Sequence, residues 1–445
     1  MRKTEKPSKK WPGEFFPPAV SRKIHPATFS LAAFLLAAAF PAFAQTPTVR
    51  RVEFDEAVRE ALAKNPQISG AAVSIAQAEA NRQQAKAFTR PSITAAVNSV
   101  TNQTEVAFEG SGVVSPRTQV SFSAAAAAPL FIAPQWAAVR QASDQIDVAN
   151  QDAVETRRQV GLATATAYLT VIAAQRQVEV DLRALEAARA HLEYADRRLE
   201  GGVGSRLNQL RAAQSVSDIE TRLQNVRLVL SRAQEALGVQ MAENGPVDAG
   251  AAPTLDGPTT ASLDELVANR PDVKAQILAV RAADRVVQDT GKEWFPTASV
   301  SFNPQYVTPS GLFQPAKSWR LIFGVTQPVF DSTVGARRAL RTVSLDSERV
   351  AQTTVEIQAR SEIRIAQEAI RSFERAQTSA RLAAQQAAEV LKISTAAFEV
   401  GATTNIEVID AQRSSLDADT AATLIEDALQ RARLDLLVAI GRFPQ

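Results

Sequence analysis

The 445-residue chain contains no cysteine, which excludes disulfides, thiolate metal sites and the acyl-cysteine that anchors lipoproteins. Any membrane attachment must therefore come from the fold. Methionine and histidine occur only twice each, so a copper or silver exporter with a methionine-rich path is not expected. His25 falls in the N-terminal leader and His191 stands alone in a long helical pattern, so neither a metal site nor a catalytic triad has a second member at usable spacing. No metal, no cofactor and no enzymatic activity are expected. No apolar run reaches the roughly 20 residues that a spanning helix needs. Very long Ala/Gln/Arg/Glu-rich stretches with little Gly or Pro suit long coiled-coil helices better than compact domains.

The leader carries Arg2, Lys3, Lys6, Lys9, Lys10, Arg22 and Lys23, then the apolar run Phe29 to Phe40, then Ala42-Phe43-Ala44. Basic, apolar and small residues in that order form a secretory signal, with cleavage expected after Ala44. Of the 49 basic and 47 acidic residues, the leader removes seven and two, leaving 42 against 45 and a formal charge of −3. No nucleic-acid footprint follows from that balance.

The mature part is written twice. Phe54 to Pro66 is answered by Leu263 to Pro271, and Arg90-Pro91-Ser92 by Phe295-Pro296-Thr297, each pair of prolines 205 residues apart. Ala128-Pro129-Leu130-Phe131 answers Gln327-Pro328-Val329-Phe330, and Leu199 to Gly202 answers Phe398 to Gly401, both at a separation of 199. Ala236-Leu237-Gly238 aligns with Ala439-Ile440-Gly441 at 203, which implies a further length change in the last helix. The expected organisation is a leader at 1–44, a first repeat at 45–242, an exposed linker at 243–261 rich in Pro, Gly, Asp and Thr, and a second repeat at 262–445.

Each repeat reads as short helix, medium helix, two strands, very long helix, glycine break and second long helix. Ile93, Ala95 and Val97 alternate with Thr94, Ala96 and Asn98, and Val120, Phe122, Ala124, Ala126 and Ala128 share one face. Ala298, Val300, Phe302 and Tyr306 repeat the pattern, as do Trp319, Leu321, Phe323 and Val325. Strands of about ten residues, apolar on one face and polar on the other, suit a membrane β-barrel; a soluble hairpin packed on one side fits them equally well. Steps of three and four in Val216, Ile219, Leu223, Val226, Leu230, Ala233 and Leu237, and in Ile363, Ala366, Ile370 and Phe373, make a coiled-coil seam. From Ile132 to Glu200 no proline follows Pro134, and such a helix reaches roughly 100 Å at 1.5 Å per residue, too long to wrap a globular core. Glycine at 201, 202 and 401 ends one helix and begins the next, with Ser205 and Thr404 as the expected N-caps.

The duplicated Asn65-Pro66 and Arg270-Pro271 openings, the pre-strand prolines, the strand exits and the glycine turns resemble the outer-membrane efflux protein family, the TolC-like channels. The resemblance spans essentially the whole mature chain. It implies a mainly α protein with a membrane β-barrel portion, a homotrimer whose twelve-stranded barrel continues as a long α-helical tunnel. It also implies an outer-membrane location reaching into the periplasm, with outer-membrane lipid, a periplasmic adaptor and an inner-membrane transporter as partners. On this resemblance Gly202, Val203, Gly204, Val400, Gly401 and Ala402 are the tips that dock the adaptor. Glu407 and Asp410 would line the closed entrance, while Phe398, Thr403, Leu207 and Asn208 depart from the polar latch that can accompany it. The implied role is the exit channel of an efflux pump, with the duct of a type I protein secretion system as the alternative. A soluble periplasmic coiled-coil adaptor is the competing class, but it predicts a single hairpin and leaves the alternating strands unexplained.

Overall fold

A computed structural model of the protein describes residues 49–108, 110, 112–255 and 262–443. The expected signal sequence and cleavage site lie outside them. In chain order the elements are β1 (Arg50–Val52), α1 (Phe54–Lys64), α2 (Pro66–Ala87), β2 (Ser92–Thr101), β3 (Val106–Phe108), β4 (Gly112–Ser115), β5 (Thr118–Ile132), α3 (Ala133–Glu200) and α4 (Arg206–Gln240). After β6 (Val247–Ala249) follow α5 (Leu263–Asn269), α6 (Pro271–Asp289), a 3-10 turn (Thr290–Trp294), β7 (Thr297–Thr308), β8 (Lys317–Thr326), α7 (Ser332–Glu399) and α8 (Asn405–Ala439). The repeat is therefore visible element by element. Both very long helices have 68 residues and both following helices have 35.

That equality corrects one sequence alignment. Gly238 sits inside α4, where the carbonyl of Gly245 approaches so closely that a Cβ would meet it at 2.1 Å. The residue equivalent to Gly441 is Ala242, 199 positions earlier, and both stand in the left-handed region, at φ 57° for Ala242 and 70° for Gly441. The backbone confirms the pairing, since Glu243 N–H donates to Gly238 O as Arg442 N–H does to Leu437 O, the closing bond of the same helix-ending motif. No length change exists after the strands. The extra residues of the first repeat lie before that point, where β3 and β4 form a small antiparallel hairpin.

The expected exposed linker is also corrected over 243–255. Val247 and Ala249 are buried, and β6 pairs in parallel with β1. Gln175 and Gln234 both donate to the Asp248 carboxylate, and Gly250 N–H donates to Val52 O. The segment is thus one wall of the main core, where Phe54, Tyr168, Leu169, Leu237 and Met241 pack together. Tyr168 is fully buried and donates to Ala251 O at 2.9 Å. The second repeat builds its own smaller core from Leu266, Val273, Ile363 and Leu436. Residues 256–261 of the linker lie outside the described ones.

The two openings with proline are anchored alike. Asn65 accepts from Gln67 N–H as an N-cap and its Nδ2 donates to Gln240 O at 2.9 Å. Arg270 donates to Ala439 O at 3.1 Å, the equivalent carbonyl at the end of α8. Arg270 is almost fully buried and also pairs with Asp272 and Glu362. Burial alone would raise Asp272, but the hydrogen bond and charge of Arg270 outweigh it and hold the carboxyl below its usual range.

The four long strands form one antiparallel sheet in the order β2-β5-β7-β8. Its register settles the alternation. One face carries the row Ile93, Ala126, Phe302 and Leu321 and the row Val97, Phe122, Tyr306 and Lys317. The other face carries Ala96, Ser123, Gln305 and Ser318, and Asn303 opposite Arg320, with Val100, Val307 and Ile322 as its larger apolar members. The apolar face lies open, with Ile93, Val97, Trp319 and Phe323 all exposed, so no described helix covers it. Among the described residues the sheet is therefore not a hairpin packed on its apolar side. Among the described residues both edge strands, β2 and β8, are unpaired on their outer sides. No described helix is long and apolar enough to cross a membrane.

Candidate functional site

At the end of the molecule away from the sheet, the turns α3–α4 and α7–α8 stand side by side. In each, a glycine with positive φ, Gly202 at 74° and Gly401 at 78°, reverses the chain. The same bonds close both, with Val203 N–H donating to Arg198 O and Ala402 N–H to Ala397 O. The apolar tips face solvent, Val203 being 71% exposed and Val400 80%. Gly204 is sterically required, because a Cβ there would sit 2.5 Å from Leu199 N. Its counterpart Thr403 is not a glycine, and its buried Oγ1 has no hydrogen-bond partner among the described residues. Ser205 caps α4 by accepting from Leu207 N–H, as expected. Thr404 makes no side-chain cap on α8, which corrects that expectation: its place at the helix start is matched by backbone conformation alone.

The residues that lock the two turns together were not found from the sequence. His191 on α3 bonds through Nε2 to Asn405 Oδ1 at 2.7 Å, and Asn405 Nδ2 donates to Asn208 O at the start of α4. Phe398 packs against both His191 and Tyr194. Arg198 lies over the Phe398 and Tyr194 rings, within cation-π range, and Tyr194 donates to Glu399 O. His191 therefore does have a partner, 214 residues along the chain, and its role is to tie the repeats. Burial pushes its pKa below the ordinary value, against an opposing contribution from the Asn405 bond. Between the turns lies a groove of about 440 Å³, lined by Arg198, Val203, Asn208, Phe398 and Thr403.

Glu407 and Asp410 stand on the first turns of α8, both exposed, while Val408, Ile409, Ala411 and Gln412 on the same helix are buried. The structure thus gives the two carboxylates a common free face and brings them near the tips. Neither makes an ion pair or side-chain hydrogen bond among the described residues. Farther up, Asp181 is fully buried; Arg222 and Gln177 donate to its carboxylate and both also donate to Thr420, so α3, α4 and α8 are joined by one polar network. Among the described residues no group of His, Asp or Glu could hold a metal ion.

The open-edged sheet continued by two long helical hairpins is the protomer architecture of a TolC-like outer-membrane channel. The model of the outer membrane efflux protein family matches residues 57–241 and 262–442, one match per repeat, and the chain belongs to that family. Outer membrane protein OprJ of Pseudomonas aeruginosa is 28% identical over 291 residues, 62% of this chain and 60% of that protein. The pyoverdine export outer membrane protein OpmQ of Pseudomonas putida is 24% identical over 87% of this chain and 86% of its own length. The fold superposes on a membrane protein from Pseudomonas aeruginosa with a TM-score of 0.76 at 22% identity, covering 87% of this chain and 93% of that one. It also superposes on VceC from Vibrio cholerae with a TM-score of 0.71 at 18% identity, covering 87% and 96%.

Proposed function

We propose that the protein is the outer-membrane channel of a tripartite efflux pump, a homotrimer whose four strands per copy close one twelve-stranded barrel. The observation that carries this reading is the coincidence of unpartnered edges. Strands β2 and β8 leave their outer backbone groups unpaired, and in lipid every such group needs a partner. On the helical part, α3 packs on α2, α4, α6 and α8, and α7 on α6 and α8, which leaves α2 and α4 on one flank of the layer and α7 on the other. Helix α7 carries Leu340, Val343, Val350 and Ile357 exposed at coiled-coil spacing, a seam without its second helix. A copy joined edge to edge supplies both missing partners at once. Because β2 meets β8 and the α2–α4 flank meets α7, the contact is head-to-tail and closes as a ring.

In this assembly the apolar sheet face meets outer-membrane lipid and the polar face lines the lumen. The paired tips dock a periplasmic adaptor, which links the channel to an inner-membrane transporter. Glu407 and Asp410, repeated by the three-fold axis, line the entrance. The test is fractionation followed by light scattering in detergent and single-channel recording. The protein should sediment with the outer membrane, run at three times the chain mass and conduct ions in planar bilayers. A monodisperse monomer with full β content would overturn the reading.

A further inference from the structure

The apolar sheet face is not uniform. Phe122 and Tyr306 form one aromatic pair at 6.2 Å and Phe302 and Trp319 another at 6.0 Å. Between the pairs lies a gutter of about 570 Å³, floored by Ala124 and Pro304, the size of a small-molecule pocket of about 300–1,000 Å³. The floor is low for two reasons. Ala124 has only a methyl group, and Pro304 brings no N–H to the ladder, so the pairing of β5 with β7 lapses between Ser123↔Gln305 and Ala126↔Phe302. Small side chains and a gap in the ladder thus coincide beneath aromatic walls.

A cation closes one end. Lys317 lies in the same row as Tyr306 and is the single charged side chain on this face of the four strands. Among the described residues its ammonium makes no ion pair or hydrogen bond. Strand β5 runs into α3 and β8 leads into α7 at one end of the sheet, so Lys317, the first residue of β8, lies at the opposite end. In the barrel reading, on which this inference rests, that end meets the outer leaflet.

We propose that the gutter seats an acyl chain of lipid A, the phosphorylated glycolipid of the outer leaflet, with a phosphate at Lys317. The aromatic walls grip the chain by dispersion contacts, and the flanking Tyr306 and Trp319 occupy the depth at which amphipathic rings settle at a membrane surface. The unpaired ammonium selects the anionic headgroup. A phospholipid with two chains and one phosphate offers the same charge but lacks the multiply acylated base that spreads across the flanking Val97 and Leu321 surface.

The test is native mass spectrometry of the purified assembled protein, delipidated and then exposed to lipid A, dephosphorylated lipid A or phosphatidylglycerol. Lipid A should be retained over both other lipids. Lys317→Gln should lower that retention about fivefold, the effect of one lysine at an anionic membrane surface. Ala124→Leu, which fills the floor, should lower it as well, and Lys317→Gln serves alone if the filled barrel fails to assemble. Equal retention of lipid A by wild type and Lys317→Gln would overturn the proposal, as would equal retention of phosphatidylglycerol, which would mark ordinary boundary lipid. Should the barrel reading itself be wrong, the protein will neither insert into liposomes nor retain any acylated lipid, an outcome distinct from loss of selectivity.

Discussion

His191 of the first repeat and Asn405 of the second are joined side chain to side chain at 2.7 Å, just inside the paired tips. Burial lowers the His191 pKa from 6.5, and the Asn405 bond only partly offsets it. The folded protein therefore binds this proton less readily than the unfolded chain. Stability from this group is complete above 6.5 and declines as pH falls from 6.5 toward the lowered folded value. Acidification across that window should lower the melting temperature of wild type more than that of His191→Gln, which keeps an N–H for Asn405 but does not titrate. Equal slopes of melting temperature against pH would sink this assignment.

The free carboxylate face of α8 leads to an electrical prediction. Glu407→Ala combined with Asp410→Ala removes six carboxylates from a trimer's entrance, two per copy. Rings of one charge sign attract counter-ions and bind multivalent ones. The double variant should show reduced cation selectivity in planar bilayers and weaker block by divalent or trivalent cations. Assembly and melting temperature should stay as in wild type, because both residues are exposed. Unchanged selectivity in a fully assembled variant would reduce them to a solvated helix surface.

The exposed seam of α7 predicts a subunit contact. Val343 and Val350 are each 67% exposed in the single chain and seven residues apart. Burying a valine contributes about 1.5–3 kcal/mol, and placing a charge there reverses the gain. Val343→Asp with Val350→Asp should convert the trimer to monomer in size-exclusion light scattering, with helix content by circular dichroism unchanged. A trimer that survives both aspartates would place the seam away from the interface.

The two helix ends at Ala242 and Gly441 make a matched pair of backbone experiments. Ala242 pays the left-handed penalty at φ 57°, so Ala242→Gly should stabilise the protein by about 1 kcal/mol. Gly441→Ala should destabilise it by about 1–2 kcal/mol, since its φ is 70° and a Cβ would lie 3.3 Å from Pro271 Cδ. Thermal melts of the two variants should shift in opposite directions. Shifts of the same sign would contradict the equivalence of the two ends.

Much of this architecture was legible because its signals are local. Long helices announce themselves through spacing and lack of proline, and the tips through glycines that must adopt positive φ, as Gly202 and Gly401 do. The segment 243–255 reads as an open linker in sequence because Gly, Asp and Pro mark a tight strand approach equally well. Gly238 pairs with Gly441 in sequence for a related reason: a glycine needed for the close passage of Gly245 looks, in sequence, like a glycine that ends a helix.

The sequence by itself determined the duplicated order of elements, the apolar and polar faces of the strands and the position of the turns, since each follows from periods of two or 3.6 residues along the chain. Only the tertiary structure decided that β5 of one repeat pairs with β7 of the other, that Asp248 accepts from two glutamines, and that His191 meets Asn405. Those contacts join residues far apart in sequence, and no local period encodes which distant surface will fill a given space or satisfy a given donor.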